Sequence, residues 1–143
     1  MIGLVKVTVG PFTFNACHYT AFDEKYNYLH GHTFKVVVSL DAEYSADKGY
    51  LIDFEEFRKI AEEVLSGWEY RLIIPEADLG RVRIEGPFKV LLKPIKAKYA
   101  TAEAICLEIL GEIRRRINEG ALEVELSEGE GRWVRCSSLG EKH

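Results

Sequence analysis

The chain opens on an alternation of apolar and polar positions. Leu4-Val5-Lys6-Val7-Thr8-Val9 places valine at every second residue, and Phe12, Phe14, Ala16 and His18 continue an every-second-residue face. A period of two belongs to a β-strand, so residues 2–18 are read as the first strand. A second strand is read over residues 31–44, where His32-Thr33-Phe34-Lys35 alternates and runs into Val36-Val37-Val38. The period then changes. Asp53 reads as a helix N-cap with Glu56 as its capping-box partner. Phe54, Phe57, Ala61, Val64 and Leu65 make one apolar stripe at helical spacing, and Gly67 ends it. A second helix starts at Thr101. Its buried face is Ala102, Ile105, Cys106, Ile109, Ile113 and Ile117. Arg114, Arg115 and Arg116 suit its C-terminal end, and Gly120 stops it. Two short strands finish the chain. Leu122, Val124 and Leu126 alternate with Glu123, Glu125 and Ser127. Glu128-Gly129-Glu130-Gly131 is a turn, and Arg132-Trp133-Val134-Arg135-Cys136 returns.

The order ββααββ predicts an α+β domain, a four-stranded antiparallel sheet with two helices on one face. Its two open edges invite cover by neighbouring subunits. Between the helices, Arg81-Val82-Arg83-Ile84, a Glu-Gly-Pro turn and Phe88-Lys89-Val90-Leu91-Leu92 predict an extra hairpin. From 81 to 98 this segment carries Arg81, Arg83, Lys89, Lys93, Lys96 and Lys98 against Glu85. It is read as a solvated or subunit-contacting loop within the 72–100 insert, the sharper hypothesis being contact with a phosphorylated substrate's tail.

Composition narrows the class without naming a function. With 143 residues, 47% hydrophobic and 29% charged, residues 1–143 form a single soluble domain with room for a core. A formal charge of −4 gives no case for nucleic acid. No apolar run approaches the roughly 18–20 residues of a membrane span. The first residues read as strand rather than leader. Cys17, Cys106 and Cys136 are widely spaced without a Cys-x-x-Cys, so a reducing, cytoplasmic setting is expected.

The chemistry lies where the first two strands end. Three of the four histidines, His18, His30 and His32, fall within fifteen residues. His30 and His32 point to one face of a strand, with Gly31 between them. Antiparallel pairing would bring His18 back over both. Three imidazoles from two paired strands suit a catalytic zinc whose fourth corner stays open, because Cys17, the nearest cysteine, faces away from His18. The same spacing also suits two solvent-facing histidines in a hairpin and one core histidine, and spacing alone leaves both readings open.

Phe14-x-Ala16-x-His18 followed by His30-Gly31-His32-x-Phe34 resembles the zinc signature of the 6-pyruvoyl-tetrahydropterin synthase family, which includes the 6-carboxy-tetrahydropterin synthases. The resemblance extends more weakly from about Leu4 to Val134. It implies the tunnelling fold (T-fold), zinc on His18, His30 and His32, a small-molecule pterin substrate, and a homo-oligomer, trimer or hexamer. It implies Glu128 as the anchor of the pterin's amide and 2-amino group, with Thr101 and Glu103 also at the pterin. The family's catalytic cysteine is missing. Glu24 stands six residues before His30 in its place, with Asp23 and Tyr26 behind it as candidates. The aspartate–histidine pair after the first helix is replaced by Glu69 and Tyr70. The resemblance therefore implies a zinc-dependent lyase on dihydroneopterin or its triphosphate, with Glu24 pointing to aldol cleavage to 6-hydroxymethyl-dihydropterin. A non-catalytic zinc- and pterin-binding protein is the alternative. His143, at the C-terminus, is read as no ligand.

Overall fold

In the computed structural model, residues 3–20 and 27–139 are described. The elements are β1 (Leu4–His18), β2 (His30–Glu43), α1 (Phe54–Ser66), β3 (Arg71–Pro75), β4 (Leu91–Ile95), α2 (Ala102–Arg114), β5 (Ala121–Glu128) and β6 (Trp133–Leu139). They form one sheet in the order β4-β3-β1-β2-β5-β6. β1, β2, β5 and β6 are the four expected strands, paired antiparallel.

The sheet is larger than expected and mixed. β3 runs parallel to both β1 and β4, so a four-stranded antiparallel sheet is corrected to six strands. The extra hairpin does not form. Among the described residues, 79–90 contain no strand, and Leu91-Leu92, expected as the hairpin's second arm, begin β4 instead. The physical reason is the run Leu72-Ile73-Ile74-Pro75, which is buried throughout. A run apolar on both faces marks an inner strand of a parallel pair, and such a pair needs a crossover rather than a tight turn.

One irregularity keeps the sheet's inner face continuous. The buried residues of β1 are Val7 and Val9, then Phe14, Ala16 and His18. Odd positions give way to even ones. The register moves from Val9 opposite Val38 to Phe12 opposite Val36, so β1 carries one extra residue there. Such a bulge switches the phase while holding both halves on the same face. Gly10 sits in it at φ +120°, where an added Cβ would lie 2.9 Å from the Val36 carbonyl oxygen.

The core lies between that face and the helices. Phe34, Val36, Val38 and Leu40 of β2 and Leu122, Val124 and Leu126 of β5 are fully buried, with Phe57, Ile105, Ile109 and Ile113 across from them. Three helix expectations change. Phe54 is 61% exposed; Phe57, Ile60, Ala61 and Leu65 form the buried stripe of α1. Asp53 is the N-cap but makes no side-chain capping bond, so the capping box is absent; its carbonyl accepts from Phe57 N at 2.9 Å. α2 ends at Arg114, before Gly120. The Arg114 guanidinium donates to the carbonyls of Ile117, Glu119 and Gly120, which lie past the helix end, and to that of Ser138 on β6. Among the described residues, no helix is long and apolar enough to cross a membrane.

Candidate metal centre

Strand parity carries chemistry to one end of the core face. In the β1–β2 ladder, Phe14 lies opposite Phe34, Ala16 opposite His32 and His18 opposite His30. The three histidines thus share the face of the core phenylalanines. The Phe14 and Phe34 rings stack at 4.8 Å, and the His18 and His32 rings meet Phe34 edge-on at 5.9 and 5.5 Å. The three imidazoles are mutual neighbours, with centroids 4.6, 5.2 and 4.8 Å apart. β5 brings a fourth group. Glu128 lies opposite Phe34 and shares the parity of Leu122, Val124 and Leu126. One donor atom from each of His18, His30, His32 and Glu128 lies within 4.8 Å of all the others.

The hydrogen bonds fix which nitrogens face inward. His18 Nδ1 is 2.7 Å from the Ala100 carbonyl, and His30 Nδ1 is 2.7 Å from that of Tyr28. A carbonyl only accepts, so each Nδ1 carries the proton and each Nε2 keeps its lone pair. This backing by a carbonyl is how metal-binding histidines are commonly oriented. His32 Nε2 lies 3.1 Å from Glu128 Oε1, and His18 Nε2 3.9 Å from it. Yet both Nε2 atoms are buried without a hydrogen bond. A buried polar atom in that state is costly. Two orphaned Nε2 atoms in a three-histidine, one-carboxylate cluster fit a divalent metal such as zinc. Burial holds His18 and His32 below the ordinary imidazole pKa, against the raising pull of the Glu128 charge on both and of the Ala100 carbonyl on His18. A neutral imidazole is the form that binds metal.

The cluster opens into a pocket of about 270 Å³ whose walls include Thr20, Thr101, Glu103, Arg132 and Trp133. Thr101 caps α2, its Oγ1 accepting from Ala104 N at 3.2 Å, while its side of the helix start lines the pocket. Glu128, Thr101 and Glu103 are therefore brought together with the histidines. Arg132 and Trp133 were not singled out as site residues by sequence reasoning; their signal was that they directly follow the turn after Glu128.

Glu69 and Tyr70 go elsewhere. Glu69 Oε1 accepts from Asn15 N at 3.2 Å and Asn15 Nδ2 at 3.1 Å, and Tyr70 is 76% exposed. Neither lines the pocket. Lys93, a candidate for a phosphate tail, is paired with Glu112 and lies 4.8 Å from the Trp68 ring. Asp23, Glu24 and Tyr26 lie outside the described residues, as does His143.

Comparison with known proteins gives one consistent answer. The family model described as 6-pyruvoyl tetrahydropterin synthase matches residues 6–138. A putative 6-carboxy-5,6,7,8-tetrahydropterin synthase from Archaeoglobus fulgidus is 26% identical over 122 residues, spanning 85% of this chain and 87% of that protein. The crystal structure of 6-pyruvoyl tetrahydropterin synthase from Plasmodium vivax superposes with a TM-score of 0.78 at 21% identity, covering 96% of this chain and 99% of that one. A second structure of the Plasmodium vivax enzyme, a catalytic-residue mutant with glutamate replaced by alanine, gives 0.75 at 22% identity, covering 97% and 99%. These likenesses establish the fold.

Proposed function

The chain belongs to the 6-pyruvoyl tetrahydropterin synthase family, and from that premise we propose that it is a zinc-dependent lyase that cleaves the side chain of dihydroneopterin or its triphosphate, with Glu24 as the base. Membership already places it among lyases of the pterin pathway. The observation that carries the finer reading is the His18–His30–His32 cluster, in which the Nε2 atoms of His18 and His32 are buried and unpaired while His18 and His30 line the pocket.

His18, His30 and His32 would hold the zinc. When bound, zinc supplies a Lewis acid that acidifies the hydroxyls of the substrate's side chain. The remaining work falls to this chain's own groups. Glu128, on the same wall, offers two carboxylate oxygens to the adjacent N–H donors of the pterin, and Thr101 and Glu103 flank it. Its oxygen, within 4.8 Å of the donor nitrogens of all three histidines, could also serve as a fourth ligand. We assign it to the substrate, because a metal that turns substrate over needs an open position. Glu24 sits six residues before His30, on the segment joining the two strand ends that bear the histidines. It would take the proton from the C2′ hydroxyl. C2′ then becomes a carbonyl, the C1′–C2′ bond breaks, and its electron pair passes to C1′ and the conjugated pterin. Protonation at C1′ gives 6-hydroxymethyl-dihydropterin, and the rest of the side chain leaves as an aldehyde. A catalytic glutamate in a Plasmodium vivax relative of the same fold supports this choice of base. A homo-oligomer would cover the exposed apolar residues Leu91, Leu92, Trp133 and Leu139 on the edge strands β4 and β6.

A second reading, a zinc- and pterin-binding protein without turnover, is favoured by one observation: Glu69 and Tyr70 lie outside the pocket and no cysteine lies between Cys17 and Cys106. Mass spectrometry of products from the zinc-loaded protein separates the two. With dihydroneopterin or its triphosphate, 6-hydroxymethyl-dihydropterin forms, and Glu24→Gln lowers the rate by roughly 10²–10⁴-fold with zinc content unchanged. A pyruvoyl or carboxy product that survives in Glu24→Gln refutes Glu24 as the base. Tight pterin binding with no product from either substrate establishes the second reading.

A further inference from the structure

We propose that Cys106 and Cys136 are a dithiol that closes to a disulfide, pinning α2 to the edge strand β6 across one side of the pocket. The inference is independent of the catalytic assignment. The two Sγ atoms lie 2.9 Å apart, roughly 0.9 Å beyond the length of a disulfide bond. Both are held by regular structure. Cys106 is on the buried face of α2, 1% exposed, and its thiol also points at the Val124 carbonyl at 3.4 Å. Cys136 faces inward from β6, directly opposite Val124 in the ladder. No loop has to rearrange for the bond to form. Cys17, the third cysteine, is directed to the Arg71 carbonyl at 3.7 Å and is not part of the pair.

The surroundings give the two thiols different tasks. Cys136 is partly exposed and Cys106 is buried, so an oxidant reaches Cys136 first. The contact with the Cys106 thiol holds Cys136 below its ordinary pKa, while the same contact and burial push Cys106 up. With a low-molecular-weight disulfide as oxidant, the Cys136 thiolate attacks one sulfur and releases one thiol. Cys106 then loses its proton and attacks Cys136 Sγ, releasing the second thiol. The protein loses two hydrogens and two electrons, and the external disulfide is reduced to two thiols. The closed loop spans thirty positions from Cys106 to Cys136 and contains Glu128. The tethered elements carry Thr101 and Glu103 at the start of α2 and Trp133 at the start of β6, all on the pocket wall.

The test is exposure of the full-length native protein to glutathione disulfide, followed by intact mass and thiol titration after denaturation. Titratable thiols should fall from three to one, with a mass loss of about 2 Da and a peptide linking Cys106 to Cys136. The oxidised form should melt about 10 °C above the reduced one. Cys17→Ser should behave like the native chain, one thiol fewer. Cys136→Ala should keep both remaining thiols and lose the redox-dependent melting shift. Cys106→Ala, which removes the resolving thiol together with a core group, should stop at a glutathione retained on Cys136 and lose the redox-dependent melting shift. In the native chain, three thiols persisting, a glutathione retained on Cys136, or a link through Cys17 would overturn the proposal. An unchanged melting temperature after bond formation would overturn the pinning.

Discussion

The two ends of the core-facing sheet layer obey the same geometry and hold opposite chemistry. At one end Val38, Leu40, Leu122 and Val124 are buried side by side, and packing satisfies them fully. At the other, the same alternation on the same strands delivers His18, His30, His32 and Glu128. Two of those imidazoles keep an Nε2 that is buried and unbonded. Folding alone gains nothing from such atoms. The apolar end is therefore a place where sequence serves stability, and the histidine end one where buried polar atoms are left open to a ligand. Phe34 is the joint between them, stacked on Phe14 and edge-on to two imidazoles.

The comparison predicts that the ends can be damaged separately. His30→Ala should lower zinc affinity by at least about 100-fold, read by competition with a chelating dye, while the metal-free variant stays folded. Leu40→Ala, at the apolar end and fully buried, should lose about 2–5 kcal/mol in denaturant unfolding and still bind one zinc per chain. A Leu40→Ala protein that folds but binds no zinc would show that the ends are one unit.

How much of this contrast could be read from the chain depends on what each contact requires. The pairing of His18 with His30 needed only a period of two and a connection of known length, and it is present. Glu128 was legible only through the family resemblance, since the chain reads it as the first residue of a turn; in the structure its parity with Leu122, Val124 and Leu126 puts it on the histidine face, beside Phe34. The β3–β4 pair was missed because parallel partners are joined by long crossovers and leave no turn signal between them. Its trace was the buried run from Leu72 to Pro75. The phase switch at Gly10 was visible as valines at odd positions followed by Phe12, Phe14 and Ala16 at even ones. A contact such as Cys106 to Cys136 depends on how a helix face meets an edge strand, which no local period encodes.

Acid should act on the histidine end before the apolar one. Burial holds the imidazoles of His18 and His32 below their ordinary pKa. In the unfolded chain they titrate near about 6.5. Below that pH the unfolded state takes up protons that the folded one resists, so stability falls as pH drops; above it the contribution is complete. Metal-free protein should therefore show a lower urea midpoint at pH 5.5 than at pH 7.5, on the order of a few tenths molar. Leu40→Ala should shift both midpoints equally. His18→Ala should flatten the pH dependence, and an unchanged slope would remove that histidine from the account.

The smallest effect is the one that tests the premise most directly. His32→Leu keeps the volume of a side chain beside Phe34 and deletes a buried Nε2 that has no hydrogen bond. If that nitrogen is held for a ligand, the metal-free variant should be as stable as the metal-free native chain or more so, by up to about 1 kcal/mol. The same substitution should abolish the stabilisation that added zinc confers on the native protein, a gain that grows with free zinc over its dissociation constant. A metal-free His32→Leu protein less stable by more than about 1 kcal/mol would mean that the Glu128 contact at 3.1 Å stabilises the fold in its own right. The histidine end would then be a second, polar core rather than a site kept open at the fold's expense.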